Sequence, residues 1–565
     1  MFRARLTRLV RCTVSTLGGL SFRNKCMSRP GCSFMLRPSY SSNPLRCYFY
    51  INSVNQTDAF ATQTPNSAGR MEEATLSEVI LAMNSVPEVL ETYKNFQDTA
   101  PMVQRNRVTV LYHITNIIQK DELQKVSLNA DKSPEGERSL FLDLIGQISK
   151  HISESSGRDL ASIVWCLGRI GSSPGKQHAL VNICVKEILS RDITAFDTGA
   201  INQILTGLAA LNIKKSKVWT KMQNGIITGE IQISDFNNQE LIGSLGAFAK
   251  TGHGSPELFE LYREEIYLRG IPSFSGAELS QLVFSFAKRG IEADKLFSHI
   301  EQEILRKGLD SFCDMKIFLV LWAFANSKSA RTYNKLFNQI NKEIVSHGVE
   351  GFKNSDLSNI VWCFSKVGVY NAKVYDIIKD EILVRGLDTF HRYLLQLLWS
   401  FAMAKKEGYS DFNEKAAKEF LSIVTASKSV EKKLLCEYAW CFGRLGITDE
   451  KVYQAIEMEF LGRNITHLKY MHIKKLLSGF SHVKKGSREF WEFLENATLQ
   501  LNFSTLKAAE ISSILLPFAE MEYKSPQLYD VVEKEIVQRG ESHFTPFELK
   551  RIKTAMLRVG RDPKH

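Results

Sequence analysis

Apolar residues recur along almost the whole chain at the three-and-four spacing of an amphipathic helix, so an all-α protein is expected. The pattern also repeats. LASIVWCLGRIG at 160–171, LSQLVFSFAKRG at 279–290 and LSNIVWCFSKVG at 357–368 are near copies of one phrase. With Trp362 as position zero, the equivalent residues are Trp165, Thr206, Gly246, Phe284, Trp322, Trp399, Trp440, Ser478, Leu516 and Thr554, spaced 37–41 residues apart. Eleven copies at that period predict an α-solenoid of αα-hairpins. An earlier, degenerate copy is expected near VTVLYHITNII (108–118).

The phrase is the leading helix of each hairpin. A longer amphipathic stretch follows as the trailing helix, as in LFSHIEQEILRKGLDSF (296–312), VYDIIKDEILVRGLDTF (374–390) and LYDVVEKEIVQRGESHF (528–544). Gly308, Gly386 and Gly540 stand where a helix C-cap is expected. Ser355 before Asp356, and Thr545 before Pro546, read as N-terminal caps of leading helices. The trailing helices carry Glu four residues before Arg at 187/191, 265/269, 381/385, 459/463 and 535/539. The order Glu-then-Arg suits helix geometry and the helix dipole, so these pairs are expected to stabilise their own helix and nothing more.

At 100° per residue, the leading helix has three kinds of face. Position +2 is Phe in eight copies, from Phe248 to Phe518, and is expected to pack on the trailing layer. Positions +1 and +3 are small, which lets neighbouring leading helices form one wall. Positions −3, 0 and +4 make a third stripe. Position −3 supplies Gln203, Gln281, Asn359, Gln396, Lys475 and Arg551; position 0 supplies Trp165, Trp322, Trp362, Trp399 and Trp440; position +4 supplies Arg169, Lys250, Lys288, Lys366, Arg444 and Arg558. Amides, flat rings and cations in one repeated stripe suit single-stranded nucleic acid: hydrogen bonds to base edges, stacking and phosphate neutralisation. A large ring at a helix seam is equally at home as core. Trp219 and Trp491 fall outside the register and receive no role.

The formal net charge of +11 changes this picture less than its distribution does. Residues 1–57 hold eight Arg and one Lys and no acid, so 11 − 9 leaves +2 for the rest. Bulk charge therefore says nothing about a polyanionic partner; only arrangement can. An Arg- and Ser-rich, acid-free start is the signature of an organellar transit peptide, so residues 1–60 are expected to be a disordered leader, mitochondrial or, alternatively, plastid-type. Residues 61–150 are expected to be an N-terminal helical region with a degenerate repeat or cap, and 151–562 the array.

The phrase LxxIVWCFxKVG followed by LFxxIxxEILxRGLxxF resembles the helical repeats of organellar RNA-binding proteins. These are the octotricopeptide and heptatricopeptide families, with the RAP-domain and Fas-activated serine/threonine kinase-like proteins. It is also similar to the repeat domain of the RNA-editing substrate-binding complex of protist mitochondria. The resemblance covers about 150–560. It implies hairpin solenoids that hold organellar transcripts or ribosomal RNA on a concave face and assist RNA processing, stability, translation or ribosome assembly. Many such relatives end in a RAP domain. Here helical repeat continues through LKRIKTAMLRVG (549–560) and leaves no room for that module before His565, so RNA cleavage is not expected.

No Walker A, HExxH or paired CxxC motif is present, and GSSPGKQ (171–177) lacks the P-loop spacing. The twelve His are scattered, and the Cys outside the leader read as small buried residues. No catalytic residue, metal, cofactor or small-molecule substrate is expected, and no apolar run reaches membrane-spanning length. The expected partners are single-stranded organellar RNA (ribosomal RNA or transcripts) and other subunits of a ribonucleoprotein. The alternative is a protein-binding scaffold of the same fold.

Overall fold

A computed structural model describes residues 79–99, 102–120, 135–171, 176–308, 314–404, 408–427, 429–462 and 468–562. The leader expected at 1–60 lies outside these residues. All regular structure among them is helical. Two helices, Val86–Thr99 and Gln104–Lys120, and a third, Glu135–Lys150, precede the array.

The leading helices are Gly157–Ile170, Thr198–Ala210, Asn238–Thr251, Gly276–Arg289, Asp314–Asn326, Asn354–Val367, Leu394–Ala404, Lys432–Arg444, Tyr470–His482, Ala508–Glu520 and Pro546–Arg558, the first to eleventh repeats. The trailing helices are Lys176–Ser190, Lys217–Ile227, Pro256–Arg269, Asp294–Lys307, Asn334–His347, Ala372–Arg385, Ser410–Ala426, Glu450–Leu461, Arg488–Leu499 and Pro526–Arg539. Leading helices pack on leading helices in chain order, and trailing on trailing, giving a two-layer solenoid. Helix Gln104–Lys120, which contains the degenerate copy, packs on the first leading helix and so extends that layer.

The expected caps form at Gly308, Gly386, Gly540 and Thr545, but not at Ser355. Thr545 and Glu548 make a capping box, and Gly386 and Gly540 close their helices at φ of 85° and 83°. The sixth leading helix starts earlier than Ser355: its N-cap is Lys353, and Asp356 sits at the third helical position, accepting from the Lys353 N–H. A carboxylate in the first turn serves there as well as a capping hydroxyl.

The Phe at position +2 is fully buried in all eight copies. Each meets an aromatic edge from the trailing helix of the preceding hairpin: Trp219 on Phe248, Phe259 on Phe286, Phe297 on Phe324, Phe337 on Phe364, Tyr375 on Phe401, Phe420 on Phe442, Tyr453 on Phe480 and Trp491 on Phe518. The edge-to-face geometry adds about 0.5–1.5 kcal/mol per pair beyond burial. Trp219 and Trp491 thus belong to a second aromatic register, on the trailing helices. Their indole N–H groups donate to the Ile213 and Lys485 carbonyls at 2.9 and 3.2 Å.

Small residues at +1 and +3 work as the sequence suggests. Position +3 of one leading helix lies against position +1 of the next. A Cβ on Gly443 would come within 2.2 Å of the Gly479 carbonyl oxygen, and one on Gly168 within 2.9 Å of the Gly207 carbonyl oxygen. In the sixth repeat Ser365 uses the same contact to donate to the Ser400 carbonyl at 2.8 Å.

The Glu–Arg pairs do more than support their own helix. The intrahelical pairs are present at 187/191, 265/269, 381/385 and 535/539, and Arg463 lies outside the described residues. Beyond its Glu, each Arg reaches back almost one full period to the turn that enters its own leading helix. Arg385 donates to the Phe352 and Glu350 carbonyls at 2.6 and 3.0 Å and to the Asn354 amide oxygen at 2.9 Å. Arg269 does the same at Ile233, Ser234 and Asn238, and Arg539 at Phe503 and Leu506. The paired Glu holds the guanidinium fork in place for these carbonyls. Successive junctions are thereby laced together.

Candidate functional site

The third stripe of the leading helices lies on the side opposite the trailing layer. Its rings do not stand alone. Trp165 is only 7 % exposed, with Tyr112 stacked on one side (centroids 5.4 Å apart) and Arg169 5.2 Å from its centroid. It is a core residue, as a ring at a helix seam often is. Trp322, Trp362, Trp399 and Trp440 are half-buried and keep surface on the wall. Trp322 leans on Phe284 at 5.0 Å, and Trp362 and Trp399 stand 6.5 Å apart. The central repeats, four to eight, therefore carry a discontinuous ladder of rings.

Each ring but Trp399 has a cation from position +4 beside it. Lys366 lies 4.8 Å from the Trp362 centroid and Arg444 5.4 Å from that of Trp440. Lys288 crosses to the next repeat and lies 5.7 Å from Trp322. The four-residue spacing sets the Trp362 and Trp440 pairs, because position +4 stands one helical turn above position 0. Arg444 also donates to the Ala402 carbonyl at 2.7 Å, and Lys366 to the Asn326 amide oxygen at 2.5 Å.

Burial lowers the pKa of the wall lysines. Burial pulls Lys250 down to about 8, and the nearby Arg169 guanidinium adds to the effect. Lys288 is lowered by burial and by Lys214, and Lys366 by burial. Lys214 escaped the sequence reading because it lies in the loop after the second leading helix, outside the register. Its carbonyl is held by His253 at 2.7 Å. Positions −3, 0 and +4 of the first six repeats contain no acid. The cations crowd one another there, and a polyanion would relieve that crowding.

Position −3 behaves differently from expectation. Its side chains bond along the wall to one another. Ser162 donates to Gln203 at 3.3 Å, and Gln396 donates to the Asn359 amide oxygen at 2.8 Å and the Ser358 carbonyl at 3.2 Å. Ser513 bonds the Tyr470 hydroxyl at 2.8 Å. Lys475 is ion-paired with Glu437, so its charge is cancelled on the spot. The half-buried amide of Gln281 stands unpartnered among the described residues. Arg558 is exposed on the last leading helix, and Arg551 lies 5.9 Å from the Phe547 centroid rather than beside a ladder ring.

The wall is built for contact. Among the described residues no group of His, Cys, Asp or Glu is arranged to hold a metal. Burial pushes the Cys166 and Cys184 thiols up to about 12 and raises Cys363 and Cys441 as well, so none offers a thiolate at neutral pH. Among those residues no helix is long and apolar enough to cross a membrane.

This architecture defines the class: an all-α helical-repeat solenoid with a ring-and-cation stripe. No family model matches the chain, and no curated protein does. Two similar solved structures are crystal structures of the pentatricopeptide repeat protein PPR10 in complex with an 18-nt psaJ RNA element, one of them a cysteine-to-serine variant. Each is 13% identical, covers 87% of this chain and 73% of that chain, and has a TM-score of 0.40. A likeness of that size carries no argument.

Proposed function

We propose that this chain is an organellar RNA-binding solenoid of the mitochondrial matrix. It holds single-stranded RNA, ribosomal or transcript, on its leading-helix wall as one subunit of a larger ribonucleoprotein serving RNA processing, stability, translation or ribosome assembly. The observation that carries this reading is the set of ring–cation pairs, Trp322/Lys288, Trp362/Lys366 and Trp440/Arg444, on one side of one layer. Rings at the surface suit bases, and cations beside them suit the phosphates between them. The close backbone approach of leading helices supports placing this wall on the shorter, inner side of the stack, where a strand is partly enclosed. The acid-free start of the chain supports the organelle.

Crosslinking and sequencing of RNA from the tagged protein in isolated mitochondria tests the reading; recovery of no RNA above background rejects it. In solution, replacing Lys250, Lys288, Lys366 and Arg444 together by Ala is expected to weaken RNA affinity and flatten its salt dependence by about 0.7 in log–log slope per lost phosphate contact. Unchanged affinity and slope reject those positions as phosphate contacts.

A protein-binding scaffold is the second reading. It is favoured by exposed apolar side chains on the trailing layer, Leu268, Val384, Met458 and Val537.

A further inference from the structure

On the reading that the wall binds single-stranded RNA, we infer that it grips the strand by stacking and charge in the central repeats, four to eight, with little discrimination among bases, rather than reading one base per repeat. The platforms are Trp322, Trp362, Trp399 and Trp440, and the phosphate contacts within these repeats are Lys288, Lys366 and Arg444.

Two observations on different positions of the stripe lead there. First, position −3 is where the stripe concentrates amides that could read a base edge, and those of Gln203 and Gln396 are engaged sideways. An amide discriminates a base best through both ends at once, donor and acceptor together. Gln396 gives its N–H groups to Asn359 and Ser358, and Gln203 accepts from Ser162. Each such amide has one end taken and its orientation set by the wall, not by a ligand. In other repeats position −3 has no amide: Gly243, Leu319, Glu437 and Lys475, the last two paired with each other. Among the described residues, the position −3 amide of Gln281 keeps both ends available.

Second, the rings and cations lie where a base and its phosphate would replace an existing contact. Lys366 beside Trp362 and Arg444 beside Trp440 cover ring faces from the same helix. When a strand binds, the cation moves from ring to phosphate and the base takes the ring face. Every base has a π-face, so this exchange is tolerant of sequence. Trp165 is excluded as a platform by Tyr112 and by its burial.

The test uses the full chain and labelled RNA homopolymers of equal length, oligo(U), oligo(A) and oligo(C), with an abasic oligonucleotide of the same charge. The three homopolymers are expected to bind within about ten-fold of one another, and the abasic strand at least about ten-fold more weakly. Trp362→Ala is expected to weaken all three alike by about ten-fold, and Trp362→Phe, which keeps a ring and the fold, by less. Gln396→Ala is expected to leave the order of the three unchanged. A preference above about a hundred-fold for one base, or abasic RNA binding as tightly as oligo(U), overturns the stacking mode. Binding of none of the oligonucleotides overturns the RNA reading itself, a distinct result.

Discussion

The two layers of this solenoid are held together in different ways. Leading helices touch backbone to backbone: Gly443 against Gly479, Gly168 against Gly207, with no room for a methyl group. Trailing helices keep their distance and are laced by long side chains. Arg269, Arg385 and Arg539 reach the junction turns, and Glu457 and Glu301 accept from the N–H groups of Ser487 and Leu336 at the start of the next trailing helix. The lesson is about tolerance. Close-packed backbone accepts almost no change of side-chain volume, whereas a laced layer depends on a few polar groups and is indifferent elsewhere. The ring-and-cation stripe sits on the layer with fixed spacing, where ring-to-ring distances are set by backbone contact.

The contrast is broken most severely at a glycine of the wall. A Cβ on Gly479 would lie 2.3 Å from the Ala439 carbonyl oxygen. Gly479→Ala is expected to cost about 3 kcal/mol despite alanine's better helix propensity, read as an earlier urea transition. Gly146→Ala, in a helix where nothing lies within 4 Å, should instead be neutral or stabilising. Equal effects at the two sites would end the claim that backbone contact holds the wall.

The laced layer is probed at Arg385. Its alanine variant loses the carbonyl contacts and leaves the half-buried Glu381 alone, so a loss of about 2 kcal/mol is expected in the same denaturation. Arg488 pairs with Glu492 on the same kind of helix, but its side chain is 89% exposed. Arg488→Ala should change stability by under about 0.5 kcal/mol. A comparable loss at both would reduce Arg385 to an ordinary surface pair.

The smallest effect sharpens the functional side. The folded pKa of Lys250, about 8, lies below the ordinary lysine value. Between the two, the unfolded chain holds a proton that the folded chain has released, so this group makes stability rise with pH across that window. A phosphate beside Lys250 needs the charged form. RNA affinity is therefore expected to fall a few-fold as pH rises through about 8, and Lys250→Arg should flatten that fall. The same pH profile in both proteins would remove Lys250 from the phosphate path.

Much of this was legible in the residues. The period, the eleven leading helices, the Phe face and the small flanks all followed from spacing, because a repeated helix must bury the same stripe each time. The stripe was harder. Spacing placed Trp165 and Trp362 at one register, yet Tyr112, from a degenerate copy, buries the first and leaves the second at the surface. Spacing also placed Gln396 and Lys475 among groups open to a ligand, though both are engaged by their neighbours. Trp219 and Trp491 looked unassigned because their partners, Phe248 and Phe518, lie on the next hairpin.

The linear sequence determined which residues share a helix face, since 100° per residue is a local property of the backbone. Only the tertiary structure decided what each face meets. Contacts between hairpins join residues about forty positions apart, and the direction, depth and partner of a side chain there depend on how neighbouring helices stack. That is why the architecture could be read from the chain, while the division of its wall into rings that face out, amides that bond sideways and arginines that lace the junctions could not.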